Sequence, residues 1–134
     1  MDFGWVRYLP YDKEYMCAIN GITQNNRTLV ERMNERTKHR GPDGSRVWEG
    51  DGVTMGHNRL AIIDLTDRAA QPMHDEGGRD HIVFNGEIYN YRELKEELKA
   101  HYTFKTESDT EVLLASYVVW GEKMLERLEG IFAF

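Results

Sequence analysis

Two glycine-centred turn signals, Gly50-Asp51-Gly52 and Asn85-Gly86, each stand between short runs of β-forming residues. Turns that tight join antiparallel neighbours, whereas parallel neighbours need a crossover of about a dozen residues or more. The chain therefore reads as α+β with antiparallel sheets, not as a doubly wound parallel sheet. Residues 46–49 and 53–57 flank the first turn as a hairpin. Residues 81–84 (HIVF) and 87–89 (EIY) bracket the second, the strongest short turn signal in the sequence. Upstream, residues 16–23 (MCAINGIT) are an apolar run with β-branched Ile19, Ile22 and Thr23, expected as a buried strand. Residues 59–65 (RLAIIDL) are expected as a further strand, followed by a loop containing Pro72. The last four residues, IFAF, read as an apolar strand that either pairs with something further on or exposes an apolar edge.

The helical stretches are marked by their ends. Thr28-x-x-Glu31 has the form of a capping box and heads a stretch with Leu29, Val30 and Met33 on one face. The glycines and proline of His39-Arg40-Gly41-Pro42-Asp43-Gly44 then punctuate a loop. Asn90 is a natural N-cap, with Glu93 three residues on, for a helix carrying Tyr91, Leu94 and Leu98. Ser108-x-x-Glu111 caps another, with Val112, Leu113, Tyr117 and Trp120, and Gly121 as its stop. A short helix with Leu125 and Leu128 is expected to end at Gly130.

Composition narrows the function classes. The chain has 134 residues, 40% apolar and 30% charged, which suits one globular domain with a real core. Its net charge of −6 argues against a nucleic-acid partner, because phosphate backbones select a basic excess. No apolar run approaches the ~20 residues of a spanning helix, so no membrane partner is expected. Cys17 is the single cysteine, which excludes an internal disulfide and a cysteine-based zinc site and suits a reducing compartment, the cytoplasm by default. The five histidines show no His-x₃-His spacing, so no metal is expected. Gly41-Pro42-Asp43-Gly44 lacks the lysine and the strand–loop–helix setting of a phosphate cradle. Residues 1–15 (MDFGWVRYLPYDKEY) carry five charged side chains and no apolar h-region, so they read as an extension of unknown role, not as a signal peptide.

A few side chains could carry chemistry, and each also has a plainer explanation. A free cysteine such as Cys17 is most often a small core hydrophobe; as a nucleophile it needs a base to form thiolate. Arg59, at the start of a strand, could clasp a carboxylate bidentately or simply be solvated. Asp109 follows the cap Ser108 and is well explained as an acid complementing a helix dipole. Asn85-Gly86 is first of all a turn, although a turn can also aim an N–H and an amide side chain at one point, as an oxyanion hole requires.

The joint pattern is more specific than its parts. Cys17 in MCAINGI, HRGPDG (39–44), GHNRLAIIDL (56–65), QPM (71–73), FNGEIYNYREL (84–94), SDTEVLL (108–114) and the ending from Trp120 to Phe134 occur in one order. From Met16 to Phe134 the chain resembles the N-terminal glutaminase domain of glutamine-hydrolysing asparagine synthetase, a class II glutamine amidotransferase. The resemblance implies an αββα sandwich of the N-terminal-nucleophile hydrolase type, incomplete at its C-terminus because the family continues with more strands of the same domain. It implies that Cys17 attacks the side-chain amide of L-glutamine, with the cysteine's own α-amino group as base. By the same resemblance Arg59 would bind the substrate α-carboxylate and Asp109 its α-ammonium. Leu60, Ala61, Ile62, Ile63 and Glu87 would line the pocket, and Asn85 with Gly86 would form the oxyanion hole.

The resemblance also implies that no cofactor belongs to this segment. ATP and Mg would serve a synthetase domain absent here, carried by the missing part of the enzyme or by a partner chain. Cys17 is not the first residue as written, so activity is expected only if it becomes N-terminal; a start at Met16 with that methionine excised is the favoured route. The family usually has glycine after the cysteine, where this chain has Ala18. The alternative reading is a catalytically inactive fragment or a regulatory glutamine-binding module.

Overall fold

The computed structural model describes residues 16–134, so the extension expected over residues 1–15 lies outside the described residues. Strand β1 (Ala18–Ile22) leads into helix α1 (Arg27–Thr37) and a 3-10 turn at Lys38–Arg40. Strands β2 (Gly44–Gly50) and β3 (Val53–Arg59) form the expected hairpin, turning at Asp51 and Gly52, both at positive φ. β3 is central in an antiparallel sheet of order β1-β3-β2, with Ala18 opposite Asn58 and Gly44 opposite Arg59. Two further antiparallel pairs follow: β4 (Met73–His74) with β5 (His81–Ile82), and β6 (Asn85–Ile88) with β7 (Gly130–Ala133). Helices α2 (Tyr91–Leu98) and α3 (Asp109–Trp120) and a 3-10 helix (Gly121–Glu126) lie between β6 and β7 in sequence.

The mixed, antiparallel α+β reading holds, and several local expectations change. Asn85-Gly86 is not a hairpin turn: both residues lie within β6, which pairs with distant β7, while β5 pairs with β4. Residues 60–66 are irregular, not a strand, because β3 ends at Arg59 and the following backbone is taken up by side-chain bonds. Asn26, not Thr28, caps α1, accepting the Leu29 N–H at 3.0 Å. Asn90 stands at the N-cap position of α2 but turns its amide away, donating to the Arg127 carbonyl at 2.9 Å and accepting the Glu129 N–H at 3.1 Å. β1 is only partly buried, with Ala18 its one buried residue. The stretch expected as a helix with Leu125 and Leu128 up to Gly130 is the 3-10 helix, which stops at Glu126 before Leu128, and Leu125 faces solvent. Tyr117, expected on the packed face of α3, is exposed; the buried run is Asp109–Ser116.

One face of the three-stranded sheet packs on α1 through polar side chains. Asn58 donates to the Asn34 carbonyl and Thr37 Oγ1, and Asn34 donates to Ser45 Oγ and the Arg46 carbonyl. Strand alternation sends Ile19, His57, Arg59 and Arg46 to the other face. There the Trp48 ring stacks on His81 of β5 at 4.0 Å, joining the sheet to the second half of the molecule. That half holds the apolar core, including Phe84, Ile88, Leu94, Leu98, Val112 and Leu113. Among the described residues no helix is long and apolar enough to cross a membrane.

Candidate active site

Cys17 precedes β1 by one residue, and the pairing of Ala18 with Asn58 sets it beside the end of β3. Its sulfur accepts the Leu60 N–H at 3.3 Å, while the thiol faces the Leu60 carbonyl at 3.6 Å. Arg40 Nε donates to the Cys17 carbonyl at 3.4 Å, fixing the backbone from below. Burial pushes the thiol above the usual cysteine range; the N–H groups of Leu60 and Cys17 and the charge of Arg59 oppose that without overcoming it, and Asp109 adds to it. A thiol in this state is protonated at neutral pH and requires a base to act as a nucleophile.

Arg59 ends β3 and is held by the loop that follows. Nη1 donates to the Thr66 carbonyl at 2.9 Å and Nη2 donates to the Asp64 carbonyl. Two of its five N–H donors are thereby committed and the fork is oriented. Asp43 supports the same bend, donating its N–H to the Arg59 carbonyl at 2.9 Å and accepting the Ala61 N–H at 2.8 Å. Gly41 passes so close beneath that a Cβ would lie 2.5 Å from the Asn58 carbonyl carbon and 2.8 Å from that of Arg59. The HRGPDG segment therefore acts as a brace under the strand end. Leu60, Ala61 and Ile63 are half-buried along the loop, whereas Ile62 faces solvent.

Asp109 opens α3, which Ser108 caps by accepting the Glu111 N–H at 3.2 Å. Its buried carboxylate accepts the Ile88 N–H of β6 at 3.3 Å. Burial first, with some repulsion from Glu87, raises its pKa above the ordinary carboxylate value despite that bond. On β6, Asn85 has a buried Oδ1 without a hydrogen-bond partner. Gly86, at φ 152°, runs against β7 so closely that a Cβ would stand 2.6 Å from Phe132 Cα. Glu87 is exposed and pairs across to Ile131. The structure thus brings Cys17, Arg59 and Leu60 together directly, and Asp109 together with Glu87 and Ile88.

Several organising residues escape sequence reading. Asp64 binds Thr66 N–H at 2.9 Å and Thr66 Oγ1 at 2.6 Å through one oxygen, and the Glu107 N–H at 2.9 Å through the other. These bonds lower its pKa to about 2. Asp-x-Thr is the spelling of a local side-chain turn, a signal that the strand reading of residues 59–65 hid. Gln71 is buried and bridges two elements, accepting the Phe84 N–H at 2.5 Å and donating to Thr110 Oγ1 at 3.1 Å. It lines a cavity of about 140 Å³ with Asp43, Arg46, His57 and Arg59. His57 is fully buried and both ring nitrogens lack a partner. The Phe84 carbonyl favours its charged form without reaching hydrogen-bond geometry, and burial dominates, with Arg59 repelling the charge; the pKa falls to about 4. The imidazole is neutral at pH 7. Among the described residues no three His, Cys, Asp or Glu side chains gather as a metal site.

Known proteins carry the same pattern. The family described as glutamine amidotransferase domain matches residues 16–134. The chain is 44% identical over 128 residues to "Asparagine synthetase [glutamine-hydrolyzing] 1" of Bacillus subtilis, covering 89% of this chain and 20% of that protein. Against "Asparagine synthetase B [glutamine-hydrolyzing]" of Escherichia coli it is 37% identical over 125 residues, covering 89% of this chain and 22% of that protein. Against "Amidase chry2" of Gibberella zeae it is 39% identical over 119 residues, covering 87% and 18%. The chain spans about a fifth of the length of these relatives. Since the family match takes in all the residues from Met16 to Phe134, including Cys17, Arg59, Asn85, Gly86 and Asp109, this chain belongs to the glutamine amidotransferase domain family.

Proposed function

We propose that the chain is the glutaminase segment of an amidotransferase, hydrolysing L-glutamine to glutamate and ammonia through a γ-glutamyl thioester on Cys17. The observation that carries this reading is the seat of Cys17, with the Leu60 N–H on its sulfur and Arg59 next along the strand end. The Cys17 sulfur attacks the side-chain amide carbon, and the thiol proton passes by way of the base to the leaving nitrogen, which departs as ammonia. Water then cleaves the thioester, releasing glutamate and restoring the thiol.

The base is the Cys17 α-amine, whose free form titrates near ~7.7–8.0 and can both take and return a proton. In the full chain that nitrogen is an amide to Met16, so the mechanism requires the Met16–Cys17 bond to be opened. Arg59 offers its uncommitted donors to the α-carboxylate, and Asp109 receives the α-ammonium. Leu60, Ala61, Ile63 and Glu87, with the main chain of Ile62, line the pocket between them. Asn85 and the Gly86 N–H stabilise the tetrahedral oxyanion; removing one such donor typically costs ~2.7–4 kcal/mol in the transition state. We assign the wider architecture to the αββα sandwich of N-terminal-nucleophile hydrolases, working in the cytoplasm. Ammonia goes to a synthetase domain, on the same protein or a partner chain, that uses ATP and Mg to amidate aspartate; two of the relatives named above bear that enzyme's name.

The test joins intact-mass measurement to a glutaminase assay on one sample. Material beginning at Cys17 is expected to release glutamate, and Cys17→Ala to lose turnover while still binding glutamine. Turnover by protein that retains residues 1–16 overturns the α-amine mechanism. Glutamine binding without turnover in material beginning at Cys17 favours a regulatory module instead.

A further inference from the structure

We propose that Asp64 is a positioning residue for amino-acid recognition, fixing the separation between the Arg59 guanidinium and the Asp109 carboxylate. The proposal rests on the glutaminase reading above. Residues 60–66 leave β3 without regular structure, and Ile62 and Leu65 are about three-quarters exposed (75% and 73%), so apolar burial does little to hold them. Asp64 supplies the order instead. Its carbonyl accepts Nη2 of Arg59. Its Oδ1 accepts the N–H and O–H of Thr66, and the Thr66 carbonyl in turn takes Nη1 of Arg59 at 2.9 Å. Its Oδ2 reaches Glu107, two residues before Asp109, at 2.9 Å. One residue therefore grips the cation through its carbonyl and the entry to α3 through its carboxylate.

Residue type and backbone agree with this role. Asp64 has φ 48°, a conformation that Asp and Asn adopt more readily than other side chains. With both oxygens engaged and its pKa lowered to about 2, the carboxylate stays ionised at any working pH. A free amino acid carries its carboxylate and ammonium on one carbon, so a pocket that reads both needs its cation and anion at one set distance. The bonds from the Asp64 carbonyl to the Arg59 guanidinium and from its carboxylate to the Glu107 N–H supply that distance. Among the described residues, no other residue bonds to both the Arg59 guanidinium and the segment leading into Asp109.

Asp64→Asn and Asp64→Gly test the idea, since both tolerate the positive φ. Asn keeps one acceptor oxygen, and Gly keeps only the carbonyl that Arg59 uses. Steady-state glutaminase kinetics are measured beside melting temperature, in the glutamine-hydrolysing form of the protein. Discrimination against glutaramate, which lacks the α-ammonium, is measured in parallel. Asp64→Gly is expected to raise KM for L-glutamine about tenfold with kcat within about twofold, and to lose part of the discrimination; Asp64→Asn falls between. Wild-type KM and selectivity in both variants overturn the proposal and leave the glutaminase reading standing. A fall in kcat and melting temperature at unchanged KM marks a structural role and overturns it too. Wild-type protein that releases no glutamate overturns the glutaminase reading, and the proposal with it.

Discussion

His57 is fully buried, neutral at pH 7 and without a partner on either ring nitrogen, so it ties folding to proton release. Its pKa falls from 6.5 to about 4 because burial disfavours the imidazolium and Arg59 repels it. Between those two values the unfolded chain binds a proton that the folded chain does not, so stability drops as pH falls through 6.5 toward 4. The loss from this group is about 3 kcal/mol, read from urea unfolding at a series of pH values; His57→Gln is expected to flatten the slope by that amount. Asp109 works in the opposite sense. Its carboxyl is raised by burial, so it takes up a proton at a pH where exposed acids are still charged. If Asp109 receives the α-ammonium, kcat/KM for glutamine should fall on acidification from above the ordinary carboxylate range. Asp109→Asn should remove that limb along with most of the activity; a limb that persists in the variant rejects the assignment.

Strands β6 and β7 meet where neither side has room for a side chain. A Cβ on Gly86 would overlap the Ile131 carbonyl and lie 2.6 Å from Phe132 Cα, and φ 152° is itself hard for an L-residue. Gly86→Ala is therefore expected to cost about 3 kcal/mol in thermal unfolding, through overpacking and backbone strain together, and to displace Asn85 with it. This pair also shows why the sequence misleads locally. Asn-Gly between two apolar runs spells a hairpin, but β6 pairs with a strand at the far end of the chain, Gly86 opposite Phe132, and no local propensity reports it. The hairpin at Asp51-Gly52 is legible because its partners are adjacent. Ser108 is legible as a cap for the same reason, while Asn90 is diverted to residues 127 and 129 by a tertiary bond. Cys17, Arg59, Asn85, Gly86 and Asp109 are singled out as candidates by ordered motifs. The roles of Asp43 and Asp64 in positioning Arg59 are not: their partners Ala61 and Glu107 are reached at the main chain, which carries no side-chain signature, and the local Asp64-x-Thr66 turn is the one signal the sequence spells.

The two halves of the molecule are held by different forces. The clustered apolar core lies wholly within residues 73–124. On the α1 side the buried hydrophobic residues are Ala18 and Val30, and the interior is a network of amides and hydroxyls centred on Asn34. Hydrogen bonds contribute little net free energy, but one that is broken and left buried is expensive. The first half is thus specified more by matching donors to acceptors than by apolar area. Asn34 is 2% exposed; its amide serves Asn20, Ser45 and Arg46, and its carbonyl takes the Asn58 amide. Asn34→Ala removes a donor from the Arg46 carbonyl and one of the two acceptors of the Asn20 amide, which keeps Thr37 Oγ1, and should cost about 1–3 kcal/mol. Asn34→Ala keeps the main-chain carbonyl that takes the Asn58 amide, so the end of β3 that seats Cys17 stays tied to α1. Native-state hydrogen exchange distinguishes the halves. In wild type, amides of β1 and β3 should exchange at lower free energy than those of α3, and Asn34→Ala should widen that gap while leaving α3 protection nearly unchanged. Equal loss of protection in both halves would show that the polar network and the apolar core open as one unit.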